Sequence, residues 1–393
     1  MIAILDFPPE ILDAIAGWID SPDDVASFAL VSKRIAAILS PRHTQLRLIV
    51  CRASFACLWK ILANDAALAR NVRVLRLTDG GFTRLPRSIL GEDPNCSHRY
   101  PRLSTARVEL EQCERDYEHS LMAAIKNMEN LTRFEWNHIV SSRIRTREEP
   151  DSLDIWTAVA SCPNITELAI YEDRPSSIWD SALFLMSNIT LFHYATTIVK
   201  SYGRVDCTKL GGMLREHCPR LQHLHLEMEY DYSMACFPPD VGQSILTGRW
   251  PDLTYLCLRD VACHSSEIFT SFLEAHPGLR YLTIDEWIGC AAISDDPDEE
   301  EFDRMPEPLA FAFSPGIVPN LETLVCHAGM AIDILTAAYA NSRENTLTTV
   351  DIITHNYDTI PRLAEFLSLA ATLPNLEVLY KESLEGTLRS ADL

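Results

Sequence analysis

Two histidines one residue apart, His223 and His225, lie on a stretch of alternating apolar residues, and Cys257 occupies the matching place in a similar stretch further on. Imidazole and thiolate at such spacing are zinc ligands. Tetrahedral zinc takes three or four protein ligands in defined geometry, however, and nothing else in the sequence supplies the remainder. The residues therefore read as a polar patch with no metal. Cys162 and Cys218 each stand directly before a Pro. A free cysteine in such a repeated place behaves as a small apolar core residue, not as a nucleophile. Carboxylates pair at Asp295–Asp296 and Glu299–Glu301, but without the apolar surroundings that would tune one of them for acid–base work. No Gly-rich phosphate loop, nucleophile elbow or metalloprotease helix occurs. The expectation is a chain with no catalytic residue and no cofactor, hence not an enzyme.

The balance of charge narrows the partners. Fifty-five acidic and 34 basic side chains in 393 residues give a net charge of -21. That charge repels phosphate backbones, so no nucleic acid is expected, and a basic or neutral protein surface is the better match. Arg42 to Arg52 and Arg143 to Arg147 are locally basic, whereas Asp295 to Asp303 (DDPDEEEFD) reads as a solvated acidic loop. No window has eighteen apolar residues free of charge, so no membrane span is expected. MIAILDFPPE lacks the basic start and apolar run of a signal peptide. Twelve cysteines without a C-x-x-C pair suit a reducing, cytoplasmic or nuclear setting. The N-x-S/T sequons at Asn95, Asn130, Asn164 and Asn188 then read as chance or as by-products of a repeat.

That repeat is the pattern L-x-x-L-x-L, often opened by Pro. It leads from Val72, Leu103, Leu131, Ile165, Ile189, Leu221, Leu253, Leu279, Leu321, Leu347 and Leu376, at irregular intervals of about thirty residues, as in leucine-rich repeats. Helical spacing appears between the patterns at Tyr117 to Met128, Leu153 to Val159, Ile178 to Met186, Ile268 to Leu273, Ile332 to Tyr339 and Leu363 to Leu373. The fold class expected is α/β: a solenoid over 71–393 with parallel strands on its concave face and helices on its convex face. An acidic insertion near 291–310 interrupts it, and 46–70 links or caps it, with a helix over Phe55 to Leu68. An ordinary parallel α/β domain is the competing reading.

Strand side chains alternate faces, so the intervening residues of each pattern point outward. Arg107, Arg133, His193, His223, His225, Tyr255, Arg259, Tyr281 and Asp285 are the candidate substrate-binding residues, with Glu135, Glu167, Thr323, Asp351 and Tyr380 alongside. Tyr, His and Arg are common at protein interfaces.

Residues 4–39 read as three short helices with more apolar residues than they can bury among themselves. Helix one starts at Pro8 or Pro9, with Asp6 available as its cap. Ser21-Pro22-Asp23-Asp24 opens helix two, and Leu30-Val31-Ser32-Lys33-Arg34 leads into Ile35, Ile38 and Leu39. With Phe7-Pro8-Pro9-Glu10-Ile11 and Asp24-Val25, these blocks resemble the F-box, the module by which substrate receptors bind the Skp adaptor of cullin-RING ubiquitin ligases. Phe7 stands where the family has Leu, and Ile35 where it prefers a larger residue. The resemblance covers 1–45 and implies adaptor contacts at Phe7, Pro8, Glu10, Ile11, Ile15, Val25, Val31 and Ile35. An F-box followed by leucine-rich repeats is a known pairing. It implies a non-catalytic receptor that binds the Skp adaptor at one end and an unknown target protein on its concave face. An interaction scaffold whose N-terminal helices only cap the solenoid, or a regulator of GTPase-activating type, are the alternatives.

Overall fold

The computed structural model describes residues 4–19, 22–40, 46–53, 55–78, 118–138, 155–172, 181–196, 207–228, 239–284, 311–339, 346–354, 360–373 and 376–382. The chain divides into two compact units, Met1–Glu172 with Asp180–Leu183, and Asp173–Trp179 with Phe184–Leu393.

The first unit opens with α1 (Pro9–Gly17), α2 (Pro22–Leu30) and α3 (Lys33–Leu39). Pro8, not Asp6, is the N-cap of α1, and no side chain caps it. Pro9 begins the helix because its missing N–H is one the first turn cannot use. Ser32 caps α3, its Oγ accepting from Ile35 N at 3.1 Å. Leu12, Ala16, Val25, Ile35 and Leu39 are fully buried together, flanked by Ile19, Phe28, Ala29 and Ile38.

The repeats follow at once. In the first unit come β1 (Leu48–Cys51), α4 (Ala56–Asn64), α5 (Ala66–Ala69), β2 (Val74–Thr78), α6 (118–127), β3 (Arg133–His138), α7 (Ile155–Ala160) and β4 (Glu167–Glu172). In the second come β5 (Leu191–Thr196), α8 (Thr208–His217), β6 (His223–Met228), β7 (Tyr255–Arg259), α9 (Ser266–Ala275) and β8 (Tyr281–Ile284). They continue with β9 (Thr323–Cys326), α10 (Ala328–Tyr339), β10 (Thr349–Thr354), α11 (Ile360–Ala370) and β11 (Glu377–Glu382). Within each unit neighbouring strands pair parallel and in chain order. The fold is therefore α/β with parallel strands, as the periodicity implies.

The register explains the sequence pattern. Two successive N–H groups, one and two residues past the leading apolar position, bond to one carbonyl of the preceding repeat. Thr132 and Arg133 share Arg73 O, Thr254 and Tyr255 share Gln222 O, and Thr348 and Thr349 share Glu322 O. The hydroxyls of Thr132, Thr254 and Thr348 donate to the same carbonyls. Asn130, Asn164 and Asn320, each just before a leading residue, donate to Arg70 O, Glu129 O and Pro277 O, two residues before the leading position of the repeat before. Two sequon asparagines are thus parts of the repeat junction. Three residues ahead of the leading position is another buried place in eight of the repeats, filled by Ala69, Met128, Cys162, Met186, Cys218, Trp250, His276 and Val318. Burial pushes the thiols of Cys162 and Cys218 up to about 11, consistent with core residues and not with thiolates. His276 Nδ1 donates to Phe272 O at 2.6 Å while its Nε2 accepts from Trp250 N at 3.0 Å, so this imidazole is held neutral.

Several expectations need correction. The 46–70 segment contains a strand: Leu46, Ile49 and Cys51 are buried, and Arg73 and Val74 share Arg47 O in the junction manner. The repeats therefore begin at Leu46. Of the stretch from Ile178 to Met186 that reads as a helix, the described residues 181–186 hold a short 3-10 turn, Ala182–Leu185, and α8 falls where none was expected. β11 pairs Glu377 with Thr349, one residue out of step with the motif leading from Leu376. Tyr380 thus stands in register with Ile352. Cys57 is disulfide-bonded, unlike the free, buried Cys51, Cys162, Cys207, Cys218, Cys257, Cys263 and Cys326. The repeat leading from Leu103 and the 291–310 insertion lie outside the described residues. No helix among the described residues is long and apolar enough to cross a membrane.

Candidate functional site

The three N-terminal helices present one candidate surface. Helices of nine, nine and seven residues bury a single small core, and several further apolar side chains on and beside them are exposed. Trp18 and Leu30 are each 86% exposed and Val31 58%. Ile4, Leu5, Phe7 and Ile11 are exposed as well. Of the adaptor residues implied by the resemblance, Phe7, Pro8, Glu10, Ile11 and Val31 are exposed and Ile15 is half-buried. Val25 and Ile35 are not on a surface at all: both are fully buried between the helices, so their part is to shape the unit.

This unit is tied down from two sides. Arg34 donates to the carbonyls of Leu5 and Phe7, holding the segment that carries Phe7 against α3. Arg47, buried at the start of β1, donates to Ala16 O. Arg73, just before β2, donates to Gly17 O at 2.8 Å. Both guanidinium groups thus meet the last carbonyls of α1, where the helix dipole favours positive charge. Nothing in the sequence pattern singles out these two arginines.

The second candidate surface is the sheet face turned away from the buried strand positions. In the first unit it is a lattice of charge. Arg76 Nε meets Glu135 Oε2 at 2.9 Å, and Arg133 bridges Glu135 at 3.5 Å and Glu167 at 3.2 Å. Arg133 is a candidate from the sequence, whereas Arg76 is not among the candidates. Arg107 lies outside the described residues.

In the second unit the same face carries rings. Register places His223, Tyr255 and Tyr281 in one row across β6–β8, and His193, His225, Cys257 and Thr283 in the next row across β5–β8. His223 stacks on Tyr255 with centroids 3.7 Å apart, and Tyr255 on Tyr281 at 4.3 Å. His193 stacks on His225 at 3.8 Å. His225 Nε2 donates to Glu227 Oε2 at 3.2 Å and lies 3.7 Å from Cys257 Sγ. Arg259 reaches Glu227 at 3.5 Å.

Burial, followed by the neighbouring His225, lowers His223 to about 4, so it is neutral at neutral pH. The His225 hydrogen bond holds Glu227 below its ordinary value, with Arg259 adding to the effect. Burial pushes Tyr255 up, so it stays protonated. Among the described residues no group of three His, Cys, Asp or Glu side chains could hold a metal ion. Asp285 lies outside the described residues. His193, His223, His225, Tyr255, Arg259 and Tyr281 are brought onto one face, together with Glu227, which the sequence reading passes over.

This arrangement has the chemistry of recognition. Cross-strand stacking holds flat, rotamer-poor rings in place before any partner arrives, so little side-chain entropy remains to be lost on binding. Cys257 is buried, and the His225 Nε2 that lies near its Sγ also meets the Glu227 carboxylate. No protein-family model matches the sequence, and no curated protein matches it significantly.

Proposed function

We propose that this chain is a substrate receptor of F-box and leucine-rich-repeat type: its N-terminal helices bind a Skp adaptor, and its outward sheet face binds a target protein for ubiquitination. The observation that carries the reading is the exposure of Ile11, Leu30 and Val31 on a helical unit whose own core is already complete. Exposed apolar side chains in this number on so small a unit favour a partner. A helical cap made only to cover the first repeat has no use for Trp18, Leu30 and Val31 in water. The stacked rings on β5–β8 supply a second, separate surface suited to a protein target.

The receptor does no chemistry. Holding a target beside the ubiquitin-charged enzyme raises the effective concentration of its lysines at the thioester, and the other subunits of the ligase supply the reaction. Its setting is cytoplasmic or nuclear, where such ligases work. Mixing the purified chain with purified Skp adaptor tests the proposal. A complex that the double variant Pro8→Ala/Ile11→Ala fails to form supports it. Failure of the unaltered chain to bind leaves the scaffold reading in its place.

A further inference from the structure

The ring row on the open face stops at Tyr281. The next residue in register is Thr323 on β9, followed by Thr349 on β10, and among the described residues no ring stacks on Tyr281 from that side. Tyr255 covers only its other face. Beside this row, β8–β10 carry Thr283, Val325 and Asp351 at successive register positions. Thr283 is 3% exposed, and its Oγ1 has no hydrogen-bond partner among the described residues. Asp351 Oδ1 is buried and equally without a partner. A buried hydroxyl and a buried carboxylate oxygen left unsatisfied are both costly, and native structures rarely keep such pairs without a reason.

Geometry says what would satisfy both. Thr283 and Asp351 are two strands apart, roughly 10 Å at the strand spacing of a sheet. A guanidinium presents N–H donors on opposite edges of a rigid plane. With a hydrogen bond at each end it spans about 8 Å, a gap that modest leaning of the two side chains closes. An ammonium, with its donors on one nitrogen, reaches only about 6 Å between two acceptors. The guanidinium plane also suits the free face of Tyr281, where an ammonium is bound less well. The surface as a whole favours a cation, given the net charge of -21.

We propose that β8–β10 form a guanidinium site, which takes an arginine side chain of the target protein across Tyr281, Thr283 and Asp351. The site rests on the reading that the open sheet face binds the target, but not on adaptor binding by the helices. The charge of Asp351 gives most of the binding, Tyr281 gives the stacking surface, and Thr283 selects for a donor group long enough to reach it.

Saturation-transfer NMR on the full chain tests this, with arginine capped at both ends as the probe at millimolar concentration. Capped lysine, capped citrulline and free L-arginine are the comparisons. Transfer to capped arginine at least fivefold above capped lysine and citrulline, lost in Asp351→Asn and weakened in Thr283→Val, is expected. Equal transfer to capped lysine, transfer that survives Asp351→Asn, or none to capped arginine overturns the proposal. Free L-arginine binding far more tightly than the capped form overturns the protein source and points to the amino acid. Asp351→Asn must keep the unaltered thermal midpoint or exceed it, since Oδ1 has no hydrogen-bond partner among the described residues to lose. A lowered midpoint marks Asp351 as structural and also overturns the site. Skp adaptor binding, measured on the same samples, is unchanged by Asp351→Asn if the helices act separately, so the two claims fail independently.

Discussion

His276 and His223 are the side chains through which acidity reaches this fold. Burial lowers both below the ordinary 6.5. A base whose folded pKa is depressed binds fewer protons folded than unfolded, so its contribution is complete above 6.5 and declines as pH falls toward the folded value. Glu227, held low by His225, acts in the same direction further down. Urea midpoints are therefore expected to drop between neutral pH and about pH 5, with a smaller drop in His276→Gln. A midpoint that rises over that range contradicts the assignment. His276→Ala removes both hydrogen bonds and strands Trp250 N–H, costing about 2–4 kcal/mol in equilibrium unfolding. The cysteines make a companion test at this scale. Cys162 and Cys218 should resist thiol reagents in the native protein and react once urea unfolds it, because burial suppresses their thiolates.

At the scale of elements, the legible part of the fold is the part written in apolar spacing. The second and third apolar positions of each described repeat are core residues, from Leu75 and Leu77 to Val350 and Ile352, with Trp136 alone half-exposed. β1 escapes notice because Arg47 and Arg52 break up its surroundings and no Pro announces it. α8 escapes because two glycines, Gly211 and Gly212, weaken its helical signal. Gly211 is there for closeness: a Cβ would collide with the carbonyl oxygen of Ser244. Gly211→Ala is accordingly expected to destabilise by about 2 kcal/mol or more despite its better helix propensity, measurable by urea unfolding. The outward residues were legible as a list but not as a device. Alternation gives the face, whereas the stacking of His223, Tyr255 and Tyr281 depends on register that no single repeat contains. Val25 and Ile35 illustrate the converse, since a residue read as part of a surface motif can sit fully inside the helical core.

For the whole molecule, the proposed function puts an adaptor handle and a target-binding surface on one chain. The proposed handle does not float: Arg47 and Arg73 hydrogen-bond the end of α1 from the first strands of the same compact unit. Replacing Arg47 by Met is expected to cost about 1–3 kcal/mol and to loosen α1–α3 in hydrogen exchange before the repeats open. The central claim is that the exposed face of those helices is the adaptor's seat. It is tested most directly by co-purifying the full chain with recombinant Skp adaptor, beside the Pro8→Ala/Ile11→Ala variant. Both altered residues are exposed, so the variant should keep its circular dichroism and melting. The account predicts a stable one-to-one complex with the unaltered chain and none with the variant. An unaltered chain that elutes apart from the adaptor, or a variant that binds it equally well, would contradict it.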